Sequence, residues 1–245
     1  MTELPRQFLQ GKTALITGST QGLGLAAATR FKEAGCRIID NGFRGGKYVG
    51  ADLRDPSQIE PMVRAAGPID ILVNNAVVRH TAPIEQFTPD QWNESLSVNL
   101  SAAFHTIRLA LPGMRARGWG RIINISSIYG QRGAANRVGY VTTKTALIGL
   151  TRAVALEVVG TGVTCNAVCP GTTETPVHEA TIEALMKSDG LSRPDAEKKF
   201  LAGKQPTGTI IAADDVAQLI VYLCGAASND INGSIFPIDA GWGAG

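Results

Sequence analysis

The chain has 245 residues and a formal net charge of +2, with 44% hydrophobic and 18% charged residues. This length suits a single α/β domain with a sizeable core, and the composition excludes extended disorder. The near-neutral balance of positive and negative charges argues against a nucleic-acid-binding protein, which normally carries a basic patch or stripe.

Short apolar runs alternate with amphipathic stretches along the chain. The runs predict strands at 13–17, 36–40, 48–52, 69–75, 120–127, 162–168 and 234–239. The stretches between them predict helices at about 22–34, 57–66, 90–117, 139–159 and 214–226. This alternation is typical of a doubly wound parallel sheet with helices on both faces. We therefore predict a Rossmann-type α/β fold of about seven strands, with residues 1–245 forming one domain.

Two segments interrupt this alternation. Residues 41–47 are predicted to form a short loop, because a full crossover needs about a dozen residues or more. Residues 172–213 form a long insertion with helix-like pieces at about 177–187 and 193–202, the second with Ser192 as a plausible N-cap. An insertion at the C-terminal edge of a parallel sheet predicts a substrate lid.

The cysteines and the start of the chain bear on the cellular compartment. Cys36, Cys165, Cys169 and Cys224 lie in apolar runs without a C-x-x-C pair and are interpreted as buried free thiols. The first residues show no signal-peptide pattern, and no apolar run approaches the roughly 18 residues of a membrane span. We expect a cytoplasmic protein without a membrane partner.

The glycine-rich segment TGSTQGLG, residues 17–24, follows a predicted strand and opens a predicted helix. Gly18 permits a tight turn, and Gly22 and Gly24 allow backbone and helix to approach a pyrophosphate at the helix N-terminus. The alternative is a purely structural glycine turn. The strand–turn–helix context favours nucleotide binding.

A second group of residues suggests acid–base chemistry. Tyr140 and Lys144 are four residues apart in a predicted helix, which places both side chains on one face. A nearby ammonium stabilises the phenolate and lowers the tyrosine pKa, which makes the hydroxyl usable for proton transfer. Ser126 and Ser127 end the fifth predicted strand, and Asn99 is polar in an apolar stretch. Taken singly, an exposed helix pair, a strand-end turn and a local backbone role remain the alternatives.

Together, these features occur in a recognisable order. Along the chain stand TGSTQGLG, NNA at 74–76, Asn99, Ser127, Tyr140, Lys144 and PGTTET at 170–175. Their order and approximate spacing resemble those of the short-chain dehydrogenase/reductase family, and the resemblance covers essentially the whole chain.

The resemblance implies a role for each catalytic position. Tyr140 would be the general acid/base, and Ser127 would orient the reacting oxygen. Lys144 would bind the nicotinamide ribose and lower the pKa of the tyrosine, and Asn99 would hold a water in a proton relay. The sequence departs from the family at Val77, where a glycine normally follows NNA, and a side chain there could crowd the cofactor.

The resemblance also implies the cofactor contacts. These are Gly18, Thr20, Gln21, Gly22, Leu23, Gly24, Asp40, Phe43, Asp52, Leu53, Asn75, Ala76, Tyr140, Lys144, Pro170, Gly171, Thr173 and Thr175. NAD-specific enzymes often place an acidic residue after the second strand, and a nearby arginine favours NADP. Asp40 lies slightly before that position, which Gly42 occupies, and Arg44 could meet a phosphate. We expect NAD, because NGF at 41–43 matches NAD-dependent relatives, with NADP less favoured.

A narrower resemblance points to the D-3-hydroxybutyrate dehydrogenases of that family. The similar segments are NGF at 41–43, 101–126, 163–171, 202–206 and 239–245. The substrate pocket of those dehydrogenases holds a small carboxylate with polar side chains. At the matching positions of this chain, Arg79 replaces a glutamine, Tyr129 replaces a histidine and Arg137 replaces a lysine, while the glutamine at Gln205 is retained. Together with Ser127 and Tyr140 these residues would bind the substrate. Two guanidiniums favour a carboxylate, on a larger or more oxygenated acid than 3-hydroxybutyrate; the alternative is two surface arginines.

The resulting expectation is an NAD-dependent oxidoreductase that interconverts a secondary alcohol and a ketone on a small hydroxy acid. A homotetramer is expected, with the helices at about 90–117 and 139–159 pairing between subunits. No metal site is expected, because His80, His105 and His178 lack ligand spacing, and His178 is interpreted as a lid residue. The alternatives are an NADP-linked ketone or sugar reductase of the same family and a catalytically inactive nucleotide-binding protein.

Overall fold

The computed structural model describes residues 7–42 and 49–244, in which six parallel strands form one sheet in the order β2-β1-β3-β4-β5-β6. The strands are β1 (Thr13–Thr17), β2 (Arg37–Asn41), β3 (Ile71–Asn74), β4 (Gly120–Ile125), β5 (Val163–Pro170) and β6 (Ile235–Ile238). The chain leaves β1 toward β2 on one side and returns to place β3 on the other. The strand order therefore reverses between β1 and β3, the point at which open α/β sheets bind ligands.

Helices cover both faces of this sheet, as predicted. They are α1 (Gly22–Glu33), α2 (Ile59–Ala66), α3 (Pro89–Leu96), α4 (Ala102–Ala116), α5 (Val138–Glu157), α6 (Pro176–Asp189), α7 (Arg193–Leu201) and α8 (Ala213–Tyr222). One apolar cluster lies beneath α2, α4 and α5, and a second lies beneath α1 and α8. The predicted single helix at 90–117 is α3 and α4 joined by a π-helical turn, Ser97–Ser101. Such turns are frequent at functional sites.

The central strands are buried on both faces, which explains their continuous apolar runs. In β1, Leu15 packs into the first cluster, whereas Ala14 and Ile16 pack into the second. This alternation follows from the two-residue period of a strand. Each fully buried aliphatic side chain contributes about 1.5–3 kcal/mol to folding, and all four cysteines are buried free thiols, as predicted.

The predicted strand at 48–52 does not form over the part that the structure describes, so the sheet has six strands rather than seven. The side-chain amide of Asn41 donates instead to the backbone oxygens of Val49 and Ala51, at 3.4 and 3.5 Å. Apolar patterning alone predicted this strand, but a parallel neighbour of β2 needs a longer crossover than the intervening residues provide. The predicted 41–47 loop lies mostly outside the described residues.

The insertion at 172–213 contains two helices, α6 and α7, close to the predicted positions. Ser192 caps α7, and its hydroxyl accepts a hydrogen bond from the Asp195 amide at 3.4 Å. An ion pair of 2.6 Å between Arg193 and Glu179 joins the two helices. In the described ranges, no helix has the length and apolar character needed to span a bilayer.

Candidate active site

A cleft of about 630 Å³ opens at the C-terminal edge of the sheet. Its walls come from the loops after β1, β3 and β5, the ends of β2 and β4, and the starts of α5 and α6. All these segments converge because the carboxyl ends of parallel strands share one edge. The cleft therefore lies at the switch point of the strand order.

The glycine loop after β1 requires glycine for two separate reasons. Gly18 has a positive φ of 65°, and a Cβ there would lie 2.9 Å from the Cα of Ala76. A Cβ on Gly24 would overlap the carbonyl of Gly18. The N-cap residue of α1, Gln21, makes no side-chain hydrogen bond to the first turn, so helix-terminal N–H groups stay available for an anion.

The NNA segment holds this loop in place. The side-chain amide of Asn75 donates to the backbone oxygens of Thr17 and Gly18, at 3.0 and 3.1 Å. The hydroxyl of Thr17 in turn accepts from the backbone amides of Asn75 and Ala76, at 3.0 and 3.1 Å. These bonds lock the ends of β1 and β3 together and leave the loop a rigid cradle.

Tyr140 and Lys144 lie on the buried face of α5, with exposed fractions of 8% and 2%. The ammonium of Lys144 donates to the backbone oxygen of Ile125 at 2.6 Å and lies 5.7 Å from the centre of the Tyr140 ring. Ser127 follows β4 in an extended conformation, and its hydroxyl accepts from the amide of Tyr129 at 3.2 Å. The structure thus brings the predicted serine, tyrosine and lysine together.

The electrostatic environment prepares the tyrosine for proton transfer. Burial raises the pKa of Tyr140, but the positive charges of Arg79 and Lys144 and hydrogen bonds from Ser127 and Arg79 outweigh it, and the pKa falls below its usual value. Burial lowers the pKa of Lys144, and Arg79 lowers it further. The guanidinium carbon of Arg79 lies 5.3 Å from the centre of the Tyr140 ring. The cleft therefore has an acid–base group whose ionised form is stabilised by two cations.

Asn99 lies in the π-helical turn and is buried. Its side-chain oxygen accepts from the amide of Val78 at 2.8 Å, and its nitrogen donates to the Val78 carbonyl at 3.1 Å and the Thr143 hydroxyl at 3.3 Å. Asn99 therefore ties the loop after β3 to α5 and does not line the cleft. Its predicted contact with a relay water stays a prediction.

Most of the predicted site residues line the cleft. They are Gly18, Thr20, Gln21, Gly22, Leu23, Gly24, Asp52, Leu53, Asn75, Ala76, Arg79, Ser127, Tyr140, Lys144, Pro170, Gly171, Thr173 and Thr175. Val77, the departure from the family pattern, lines it too. Asp40 does not line the cleft; Asn41, which ends β2, and Gly42 after it line the cleft there instead. Phe43 and Arg44 lie outside the described residues.

Three predicted substrate residues lie outside the cleft wall. Both ends of the Gln205 amide are bonded to backbone: its oxygen accepts from the Thr172 amide, and its nitrogen donates to the Thr209 carbonyl at 2.7 Å. Contact with a substrate would require these bonds to be exchanged, so that role stays a prediction. Tyr129 packs edge-on against Tyr140, with ring centres 6.3 Å apart. Arg137 is the N-cap residue of α5.

Sequence reasoning missed two residues beside the site. Trp242, near the end of the chain, packs edge-on against Tyr129 with ring centres 5.1 Å apart. His178, interpreted only as a lid residue, lines the cleft. Trp242 lies just after β6 in the segment 239–245, but nothing in that segment marks it as a site residue, and His178 belongs to no recognisable motif. Among the described residues, no three His, Cys, Asp or Glu side chains come together in a way that could hold a metal ion.

The comparisons with known proteins agree with this geometry. The family model of the short chain dehydrogenases matches residues 12–185. D-beta-hydroxybutyrate dehydrogenase of Cupriavidus necator is 41% identical over 255 residues, covering 96% of this chain and 99% of the relative. 2-Keto-3-deoxy-L-fuconate dehydrogenase of Xanthomonas campestris is 35% identical, covering 97% and 82%. The structure of L-sorbose reductase from Gluconobacter frateurii, complexed with NADPH and L-sorbose, superposes with a TM-score of 0.90 at 27% identity, covering 96% and 98%.

Proposed function

Because the chain belongs to the short-chain dehydrogenase family, we propose that its cleft binds NAD and a small hydroxy acid side by side. The protein is an oxidoreductase that acts on a hydroxyl or ketone group. The observation that carries the proposal is the buried Tyr140, which lies between two cations in the cleft that the glycine loop also lines. No other described segment combines these features.

The residues of the cleft fit a nicotinamide dinucleotide. Gly18 and Gly24 pack too closely against the Ala76 backbone and the Gly18 carbonyl to carry a Cβ. The glycines therefore allow the tight turn that would present the N-terminus of α1 to a bound pyrophosphate. Asp52 and Leu53 line the cleft beside the end of β2, where the adenosine portion would lie. When bound, the nicotinamide exchanges a hydride with the carbinol or carbonyl carbon of the substrate.

The protein's own part in this reaction is the handling of one proton. In the oxidative direction, the ionised Tyr140 hydroxyl accepts the proton of the substrate hydroxyl. Lys144 and Arg79 stabilise the phenolate before transfer. When substrate binds, the Ser127 hydroxyl turns from Tyr140 to the reacting oxygen and orients it. In the reductive direction, Tyr140 returns the proton to the developing alkoxide.

We propose NAD rather than NADP from the charges that the described residues bring to the cleft, which do not include Arg44. An extra ribose phosphate needs a cation whose charge is still available. Arg79 and Lys144 lie beside Tyr140, and the guanidinium of Arg54 is held by Asp52 at 2.7 Å and by Glu94 at 3.6 Å. The sorbose reductase is complexed with NADPH, which makes an NADP-linked reductase the second candidate. The ratio of kcat/KM for the two cofactors decides between them: a larger value with NADP would reject this assignment.

The lid side of the cleft favours an acidic substrate. The positive charges of Arg79, Lys204 and Arg137 all act on His178, and both Arg79 and His178 line the cleft. Such a cluster attracts a carboxylate and offers several hydrogen-bond donors. Two of the relatives are named for acids, D-beta-hydroxybutyrate and 2-keto-3-deoxy-L-fuconate.

The substrate class is tested by comparing hydroxy acids with their methyl esters. NADH formation should be at least about tenfold more efficient with the acid, because an ester cannot form charge-assisted hydrogen bonds of about 1.5–3 kcal/mol. Equal kcat/KM values for acid and ester would reject the carboxylate. A lack of turnover with every hydroxy acid tried would reject the proposed substrate class.

We also propose a single-domain subunit that assembles as a homotetramer. All six described strands belong to one sheet, which supports a single domain. Apolar side chains remain exposed near the outer surfaces of α4 and α5, including Phe104, Leu156 and Val159. Closed symmetric assembly would bury such surfaces. Light scattering at micromolar concentration tests this, and a monomer would contradict it.

A further inference from the structure

The lid helix α6 carries an imidazole into the wall of the cleft. The Nδ1 atom of His178 lies 2.7 Å from the backbone oxygen of Thr173. A carbonyl oxygen only accepts, so Nδ1 carries the ring proton and Nε2 carries a lone pair. Phe200 of α7 packs against the ring, with centres 5.5 Å apart. Within the described ranges, Nε2 has no hydrogen-bond partner.

The surroundings keep this ring neutral. Burial lowers the pKa of His178, the Thr173 carbonyl opposes that effect, and the positive charges of Arg79, Lys204 and Arg137 lower the pKa again. At neutral pH, Nε2 is therefore a hydrogen-bond acceptor in the same cleft wall as Arg79, a side chain that can only donate. A carboxylate satisfies the cations but, having no proton, cannot satisfy Nε2.

We propose that His178 is a specificity-determining residue whose Nε2 accepts a hydrogen bond from a second hydroxyl group of the substrate. This inference rests on the proposed function and deepens it: the preferred substrates are hydroxy acids with at least one hydroxyl beyond the reacting one. The reacting hydroxyl gives its proton to Tyr140, so a plain 3-hydroxy acid offers no hydroxyl to Nε2. A site that hydrogen-bonds a substrate hydroxyl discriminates against the analogue that lacks it.

The test compares D-3-hydroxybutyrate with 2,3- and 3,4-dihydroxybutyrate, using NAD and the full-length enzyme. Wild type should turn over at least one dihydroxy acid with a kcat/KM roughly tenfold or more above that of 3-hydroxybutyrate. His178→Leu should lose this preference, so that the ratio of its kcat/KM values for the dihydroxy and the plain acid falls to about one. His178→Gln, which keeps an acceptor, should retain part of the preference.

A matched control is Glu183→Gln, on an exposed position of the same helix. It should leave the preference unchanged, and thermal unfolding should show that all variants are folded. An equal loss on plain and dihydroxy acids in His178→Leu would assign His178 a merely structural role in the lid and overturn the inference. A wild-type preference for 3-hydroxybutyrate would also overturn it while leaving the proposed function intact. No turnover with any acid would overturn both.

Discussion

The two ends of the cleft differ in what lines them, backbone at one end and side chains at the other. At the glycine loop the wall is backbone: Gly18 and Gly24 carry no side chain, and Asn75 holds the turn through main-chain oxygens. At the lid the wall is made of long side chains from separate segments, among them Arg79 and His178. A backbone wall is rigid and suits a ligand common to a whole family. A side-chain wall changes with single substitutions, so it suits the part of the ligand that differs between enzymes.

The largest expected effect lies between the two ends, at Tyr140. Tyr140→Phe should lower kcat by about 10²–10⁴-fold, because it removes a cleft hydroxyl whose pKa lies below its usual value. Fluorescence titration should show NADH binding nearly unchanged, since the cradle is intact. Near-normal turnover would remove this tyrosine from the mechanism.

The backbone end is tested with a matched pair of glycines. Gly18 and Gly118 share a φ of 65°, but a Cβ on Gly118 would meet nothing within 4 Å. Gly118→Ala should lower the free energy of unfolding by about 1–2 kcal/mol, from the left-handed backbone alone. Gly18→Ala should cost roughly a further 1–3 kcal/mol, because its Cβ meets the Ala76 backbone.

Only Gly18→Ala should also weaken NAD binding, as measured by titration, because Gly118 does not line the cleft. If both variants lose affinity equally, the cradle does not contact the dinucleotide. If Gly18→Ala and Gly118→Ala lower the free energy of unfolding equally, the loops after β1 and β3 can move apart to accept the added Cβ.

The side-chain end is tested with a pair of arginines. Arg79 helps to lower the pKa of Tyr140, whereas Arg137 is not among the groups that act on it. Oxidation needs the ionised tyrosine, so activity is present above the tyrosine pKa and is lost as pH falls through it. Arg79→Ala should raise that pKa and move the loss of activity to higher pH. Arg137→Ala should leave the pH profile in place.

Both variants should lower kcat/KM for an acid substrate, Arg137→Ala by roughly tenfold through the loss of a charge-assisted hydrogen bond. With the methyl ester as substrate, the loss of kcat/KM in both variants should be smaller. If both variants change kcat/KM for the acid and for the ester by the same factor, the two arginines do not bind the substrate carboxylate. An unchanged pH profile in Arg79→Ala would show that Arg79 does not lower the pKa of Tyr140 in the reaction.

The sequence by itself determined the features that depend on neighbours close along the chain. The strand–helix alternation, the glycine turn and the shared face of Tyr140 and Lys144 all follow from local periods of two and 3.6 residues and from backbone sterics. The same local patterning overpredicted a strand at 48–52 and merged α3 with α4, since it contains no information on crossover length or on a π-helical turn.

Only the tertiary structure decided which distant side chains meet. His178 entered the cleft wall because α6 folds over the sheet edge, and Trp242 reached Tyr129 from the far end of the chain. Gln205 was predicted to face the substrate, which stays a prediction; the hydrogen bond between its amide oxygen and the backbone of Thr172 is visible only in the structure. Such contacts join segments tens of residues apart, and their geometry depends on how whole helices pack, which no local pattern encodes.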